Sequence, residues 1–112
     1  MVSVSRRRDG DVLTLAVSGE VDLATSPLVD EAITEAVGSS GISAVEVDLS
    51  GVGFLDSSCI ALLLKGRRSA DAQGVAYRVT GAQGVPLDVL QITGVWEHLS
   101  GGTGSTSEPT VS

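Results

Sequence analysis

The sequence predicts an α/β domain in which helices pack on a small, mixed, four-stranded sheet, with elements in the order ββαβαβα. Apolar and polar residues alternate along Val12–Ser18, which is typical of a half-buried strand. Val45–Leu64 runs from another apolar strand through a short loop directly into an apolar helix. The link from that strand through the helix to a strand at Val75 has the length of a crossover, so we expect a right-handed parallel pair.

The first elements form an N-terminal hairpin and a helix. Residues 1–9 alternate weakly, and Asp9-Gly10 is a turn signal before the strand at Val12–Ser18. Gly19–Asp22 then reads as a loop that carries two carboxylates, Glu20 and Asp22. Thr25 is a hydroxyl N-cap candidate, and Pro27 suits the first turn of a helix. The predicted apolar stripe of this helix comprises Leu28, Val29, Ala32, Ile33, Ala36 and Val37, and Gly38–Gly41 ends it.

The middle of the chain contains the strand Ala44–Leu49, a tight loop at Gly51–Gly53, and a helix from Ser57 to about Gln73. The residues expected to face the core are Ile60, Leu63, Leu64 and Ala70, with Ala61 and Leu62 as additional apolar surface. Gly66 weakens the helix by about 1 kcal/mol relative to Ala, which permits a bend there. Gly74 is expected to stop it.

The chain closes with the strand Val75–Thr80 and a short helix, Pro86–Ile92, whose Leu87, Leu90 and Val89 are expected to face inward. Val95 and Trp96 should anchor the end against the core. From Ser100 the composition reduces to small and polar residues that cannot bury enough surface to order themselves. We therefore expect one domain over residues 1–99 and a disordered tail over residues 100–112.

Composition narrows the classes of function. The 112 residues are 42% apolar but only 3% aromatic, so one core built from Val, Leu, Ile and Ala is expected. The formal net charge of −7 argues against binding nucleic acid or an anionic membrane, since both require basic patches. Arg6–Arg8 is the one basic run, and it is interpreted as a solvated strand end.

The cysteine count and the hydropathy of the sequence indicate the cellular compartment in which the protein is expected. A single cysteine, Cys59, permits no internal disulfide, which fits a reducing environment. Arg6–Arg8 interrupts any N-terminal signal-like stretch, and no apolar run approaches the ~18–20 residues that span a bilayer. The sequence therefore predicts a cytoplasmic protein.

Ser57 and Ser58 are the main candidates for chemistry. They follow the carboxyl end of a strand, where sites are built in open α/β sheets, and they begin a helix. Asp56-Ser57-Ser58 before an apolar run is also an ordinary N-cap signal, so a purely structural role stays open. Asp22, which also follows a strand, is expected nearby.

Four blocks of the sequence resemble the STAS-domain anti-sigma-factor antagonists, in an order and spacing that cover about residues 10–99. The blocks are Gly19–Thr25, Val47–Val52, Phe54–Ser58 and Ile92–Gly94. The resemblance implies a STAS-like fold with a four-stranded mixed sheet. It also implies a protein that is not an enzyme and has no cofactor, whose unphosphorylated form binds an anti-sigma factor and releases a sigma factor.

The resemblance implies that Ser57 is phosphorylated by the anti-sigma factor, a serine kinase of the GHKL type, and dephosphorylated by a phosphatase. Its implied partner-binding residues are Glu20, Asp22, Asp56, Ser58, Cys59 and Ile60. Cys59 is a departure, since such proteins commonly have Gly there, and it adds a side chain to the expected contact surface. For Glu20 and Asp22 the alternative is solvated acids, for Ile60 it is a core position, and for Cys59 it is a small, packed residue of the buried type.

A phosphate on Ser57 is large enough to act as a switch. It adds about −1.5 to −2 charges, and each like charge at ~4 Å costs up to ~4 kcal/mol at an effective dielectric of 20. A tenfold change in affinity corresponds to ~1.4 kcal/mol of binding free energy. One phosphate can therefore lower the affinity of a complex by roughly two or three orders of magnitude. Free backbone N–H groups at the helix N-terminus are expected to hold that phosphate.

Two other functions stay open. One is a non-switching STAS scaffold or adaptor in a larger signalling or lipid-transport complex. The other is a small enzyme that uses Ser57 or Cys59, for which His98 is the only histidine and no Gly-x-Ser-x-Gly elbow is present. One Cys with one His does not supply a metal site, and no phosphate-binding Gly-Lys-Ser/Thr loop occurs.

Overall fold

A computed structural model describes residues 2–92. Its elements are β1 (Val2–Asp9), β2 (Val12–Val21), α1 (Ser26–Val37), β3 (Ala44–Leu55), α2 (Ser57–Gln73), β4 (Ala76–Thr80) and α3 (Val85–Ile92). The predicted order ββαβαβα is confirmed. The expectations for Val95, Trp96, His98 and the tail from residue 100 lie outside the described residues, as does the side chain of Val89.

The strands form one sheet in the order β1-β2-β3-β4. β1 and β2 make the predicted antiparallel hairpin, with Val4 opposite Val17. β2 pairs with β3 and β3 with β4 in parallel, through the crossovers that contain α1 and α2. The mixed sheet expected from the sequence is therefore confirmed.

The core lies between one face of the sheet and the helices. Alternate residues of the central strands point into it, as the period of two predicts. These strand residues are buried: Leu13, Leu15, Val17, Val45, Val47 and Leu49. The helices cover that face with Val29, Ile33, Ala36 and Val37 from α1, Leu62, Leu63 and Ala70 from α2, and Leu90 from α3.

Two predicted loops are instead strand. β2 continues through Glu20 to Val21, and β3 continues through Gly51–Gly53 to Leu55. The register between them shifts beside Ser18, and a Cβ at Gly51 would lie 2.8 Å from the Cβ of Ser18. Glycine there permits close approach of two paired backbones at an irregularity in the sheet, so it does not mark a turn.

The helices follow the sequence with differences in detail. α2 spans the predicted Ser57–Gln73 without interruption, and Gly74 ends it with a φ of 73°. Leu28, predicted to face the core, is 49% exposed, whereas Leu62, predicted as extra surface, is buried. Ile60, Leu64 and Leu87 are half-buried against the core. These differences arise because the position of each helix on the sheet decides which side of an apolar stripe is covered.

Candidate functional site

The candidate site lies where β2 and β3 end side by side. Val21 lies opposite Leu55, and the backbone N–H of Asp56 donates to the carbonyl oxygen of Val21 over 3.2 Å. Asp22 and Asp56 therefore leave neighbouring strands at the same edge of the sheet, as the sequence indicates. The expectation that Asp22 approaches the Ser57 segment agrees with this arrangement.

Ser57 is the first residue of α2, and its side chain is exposed. Asp56 precedes it in an extended conformation and caps the helix, because its Oδ1 accepts hydrogen bonds from the backbone N–H of Ser58 at 2.9 Å and of Cys59 at 3.4 Å. An acidic N-cap is also favoured by the helix dipole. The hydroxyl of Ser57 thus stands at the surface beside an ionisable carboxyl group.

The capping geometry corrects one expectation. We expected free N–H groups at the start of α2 to hold a phosphate on Ser57, but Asp56 already occupies those of Ser58 and Cys59. A phosphate there would compete with the carboxylate for the same donors. Asp56 therefore leaves little of the usual anion-binding capacity of a helix N-terminus.

Asp22 organises the loop between β2 and α1 together with Thr25. Its Oδ1 accepts from the backbone N–H of Thr25 at 3.0 Å and from the Thr25 hydroxyl at 3.1 Å, while its own N–H donates to that hydroxyl at 2.9 Å. Hydrogen bonds from the backbone and then the side chain of Thr25 lower the pKa of Asp22. Thr25 occupies the predicted N-cap position, but its hydroxyl closes this loop and caps no N–H of α1.

Glu20 lies in β2 rather than in a loop, and its side chain is exposed. In the register it lies opposite Phe54, which is 44% exposed, and Leu23 in the following loop is 75% exposed. The site edge therefore combines carboxylates with two exposed apolar side chains. Leu23 and Phe54 are not among the predicted site residues, although a large apolar residue beside the loop acids was the available signal.

Cys59 departs from its expected placement. Its side chain is 1% exposed, because position 59 lies on the core-facing side of α2, so it adds nothing to the outer surface. Burial, and secondarily the charge of Asp56, raises the pKa of Cys59 to about 12. The thiol is therefore protonated at neutral pH and is a poor nucleophile. Ser58 and Ile60 are half-buried, and Ile60 also packs on the core.

Residues 2–92 contain no cluster of three or more potential metal ligands among His, Cys, Asp and Glu. Within the same range, no helix has the length and apolar character needed to cross a membrane.

The fold recurs in several solved structures. An anti-sigma factor antagonist from Mycobacterium paratuberculosis is 26% identical, with a TM-score of 0.79 over 88% of this chain and 83% of that one. The Bacillus cell fate determinant SpoIIAA in its phosphorylated form is 16% identical, with a TM-score of 0.65 over 96% and 92%. The murine anion transporter Slc26a9 is 20% identical, with a TM-score of 0.69 over 81% of this chain and 15% of that one.

No curated protein sequence matches the chain. The family model described as "Mlab, STAS domain" matches residues 4–100, which is most of the chain. Together with the sheet order and the solved structures above, this match shows that the chain belongs to the STAS domain family.

Proposed function

We propose that the protein is an anti-sigma-factor antagonist that works by partner switching. Its unphosphorylated form binds an anti-sigma factor of the GHKL serine-kinase type and so releases a sigma factor in the cytoplasm. That kinase phosphorylates Ser57, and the phosphate ends binding until a phosphatase removes it. The observation that carries the proposal is the exposed hydroxyl of Ser57 at the start of α2, in a fold shared with an anti-sigma factor antagonist.

The surroundings of Ser57 support a protein-binding surface. Glu20, Asp22 and Asp56 make this edge acidic, and Leu23 and Phe54 add exposed apolar area next to it. Buried apolar contacts supply affinity in protein interfaces, whereas charges set orientation and association rate. Ser58 and Ile60 border the same surface from α2, while the thiol of Cys59 supports the helix from the core side.

The charge of the site explains how a phosphate would act. Phosphoserine at position 57 would place up to two negative charges beside the carboxyl group of Asp56. A partner surface that packs against the neutral hydroxyl would have to desolvate the phosphate group, and an acidic partner group that faces Ser57 would be repelled. Binding is therefore lost at the interface, and no change of fold is required.

The test is to incubate the protein with candidate anti-sigma kinases and ATP and to follow its intact mass. We expect the mass to increase by one phosphate in wild type and in Ser58→Ala, and to stay unchanged in Ser57→Ala. A pull-down with wild type and Ser57→Asp then identifies the partners that the added charge excludes. A phosphorylated protein that binds its kinase as tightly as the unmodified form would contradict the proposal.

A non-switching scaffold is the second candidate. The transporter Slc26a9 contains this fold within a much longer chain, of which the match covers 15%. If no kinase modifies Ser57 and the pull-down returns the same partners with Ser57→Asp as with wild type, the scaffold replaces the switch. Turnover in generic esterase or thiol assays would instead indicate an enzyme.

A further inference from the structure

A groove between α1 and α2 begins beside Ser57 and extends along the helices. Its volume is about 470 Å³, and Ser26, Pro27, Asp30, Ser58, Ala61, Leu62, Lys65 and Arg68 line it. The α2 residues recur every three or four positions from Ser58 to Arg68, with Ala61 and Leu62 as one adjacent pair, so they form one stripe on the helix surface. Ten residues of helix measure about 15 Å, so the groove covers nearly three turns.

The groove has an apolar middle and a charged far end. Pro27, Ala61 and Leu62 supply the apolar part. Lys65 is engaged across the groove, because its Nζ lies 3.1 Å from Oδ2 of Asp30. Arg68 is exposed and forms no ion pair with any residue in the described range 2–92. The cation at this end is therefore available to a carboxylate from another molecule.

The two ends of the groove have opposite charge. Asp22 and Asp56 flank the Ser57 end, because the backbone N–H of Ser26 donates to the carbonyl oxygen of Asp22 and Asp56 directly precedes Ser57. The other end presents Arg68 about three turns away. A complementary partner segment has apolar residues in the middle and an acidic residue at the end that meets Arg68. A helix fits between two neighbouring helices on a sheet, because side-chain ridges pack into the grooves of a neighbouring helix.

We propose that this groove, which we name the α1–α2 groove, binds a three-turn amphipathic helix of the anti-sigma kinase, whose carboxylate pairs with Arg68. The inference rests on the proposed function and adds a second contact to it. Ser57 supplies the modified group, and the groove supplies affinity and register. Because the apolar floor of the groove continues directly from Ser58, one partner surface can contact both Ser57 and the groove.

The experiment measures the affinity of each variant for the kinase that modifies Ser57, without ATP so that the serine stays free. Arg68→Glu should weaken binding about tenfold, through loss of the pair and repulsion of the carboxylate. Arg7→Glu is the matched control: it makes the same charge change at an exposed strand residue outside the groove. If Arg68→Glu lowers the affinity by less than threefold, or if Arg7→Glu lowers it equally, the groove proposal is overturned.

A steric pair of variants tests the same groove without charge. Ala61→Trp fills the floor and should weaken binding at least tenfold, whereas Ala72→Trp on the same helix should leave it unchanged. Both alanines are exposed, so neither substitution overfills the core. If sedimentation instead shows a wild-type dimer that Ala61→Trp dissociates, a second copy occupies the groove and the proposal is overturned.

The groove proposal and the phosphorylation-switch proposal predict different results if they are wrong, so the experiments distinguish between their failures. If every variant acquires one phosphate on Ser57 and Arg68→Glu binds as wild type does, the groove proposal fails and the switch stands. If wild type acquires no phosphate and binds no kinase, both fail. Slower phosphorylation of Arg68→Glu at low kinase concentration, with an equal rate at saturation, supports the groove.

Discussion

The hydroxyl of Tyr77 fills the space that a side chain at Gly66 would need. A Cβ on residue 66 would lie 2.7 Å from Oη of Tyr77 and 2.8 Å from Cγ2 of Ile33. The same hydroxyl donates a hydrogen bond to the carbonyl oxygen of Leu63 over 3.0 Å, inside the core. Gly66 thus permits close packing of α2 on β4, the strand that carries Tyr77.

Gly66→Ala should therefore destabilise the protein even though Ala is the better helix former. The helix gains about 1 kcal/mol in propensity. Overpacking costs about 1–3 kcal/mol, and a displaced Tyr77 hydroxyl loses a buried hydrogen bond worth about 1 kcal/mol. We expect the free energy of unfolding in urea to fall by about 1–3 kcal/mol.

The control is the same substitution in Tyr77→Phe, which lacks the hydroxyl. Tyr77→Phe alone should cost about 1 kcal/mol, since the carbonyl oxygen of Leu63 loses its donor. Gly66→Ala should cost less in that background than in wild type, which a double-mutant cycle measures as coupling. Additive effects would contradict the assigned contact.

The buried thiol of Cys59 makes stability depend on alkaline pH. Burial raises the pKa of Cys59 from 9.0 to about 12. Above pH 9 the unfolded chain loses this proton while the folded chain keeps it, so the stabilisation present below pH 9 is lost as the pH rises toward 12. We expect the free energy of unfolding to fall by about 1 kcal/mol between pH 9 and pH 10.

Cys59→Ala isolates this effect. It lowers stability at every pH through lost packing, but its decline between pH 9 and pH 10 should be much smaller than in wild type. Burial also raises the pKa of Tyr77, which adds a similar loss at higher pH and sets the upper limit of the useful window. Equal slopes for the variant and wild type would mean that the thiol titrates normally.

The cap of α2 should be separable from the charge of the site. Asp56→Ala removes the acceptor for the N–H groups of Ser58 and Cys59 and should cost about 1 kcal/mol of unfolding free energy. Asp56→Asn keeps an acceptor oxygen and should lose only part of that. Urea unfolding of both variants measures the two losses of unfolding free energy. If Asp56→Asn loses as much as Asp56→Ala, the charge of Asp56 rather than its hydrogen bonds stabilises the helix.

Thr25 should control the acidity of Asp22. Hydrogen bonds from Thr25 lower the pKa of Asp22, with the backbone N–H as the larger cause and the hydroxyl as the next. Thr25→Val keeps the N–H and removes the hydroxyl, so the pKa of Asp22 should rise only part of the way to its ordinary value. NMR titration of the carboxyl group measures this, and an unchanged pKa would contradict a charge-stabilising role of the hydroxyl.

The sign for stability follows from the direction of that shift. A lowered pKa means that the folded protein holds the Asp22 carboxylate more strongly than the unfolded chain does. The stabilisation is present above the ordinary pKa of aspartate and is lost as the pH falls through the lowered value. In Thr25→Val the folded-state pKa lies closer to the ordinary value, so the acid-side loss should be smaller and should end at a higher pH.

The sequence by itself determined the order of the elements, the bounds of α2 and its Gly74 stop, because period, N-cap and C-cap signals are local. It also placed Asp22 and Asp56 after neighbouring strands, since crossover length implies parallel pairing. The exposed hydroxyl of Ser57 agrees with that local pattern.

Tertiary structure alone decided how glycine is used and which side of each helix is covered. Gly51 lies in β3 and Gly66 faces Tyr77, although both residues resemble breakers in the sequence. Cys59 and Leu62 are buried and Leu28 is exposed, because the position of each helix on the sheet selects the covered face. The α1–α2 groove joins residues about 30 positions apart in the chain, so no local pattern could reveal it.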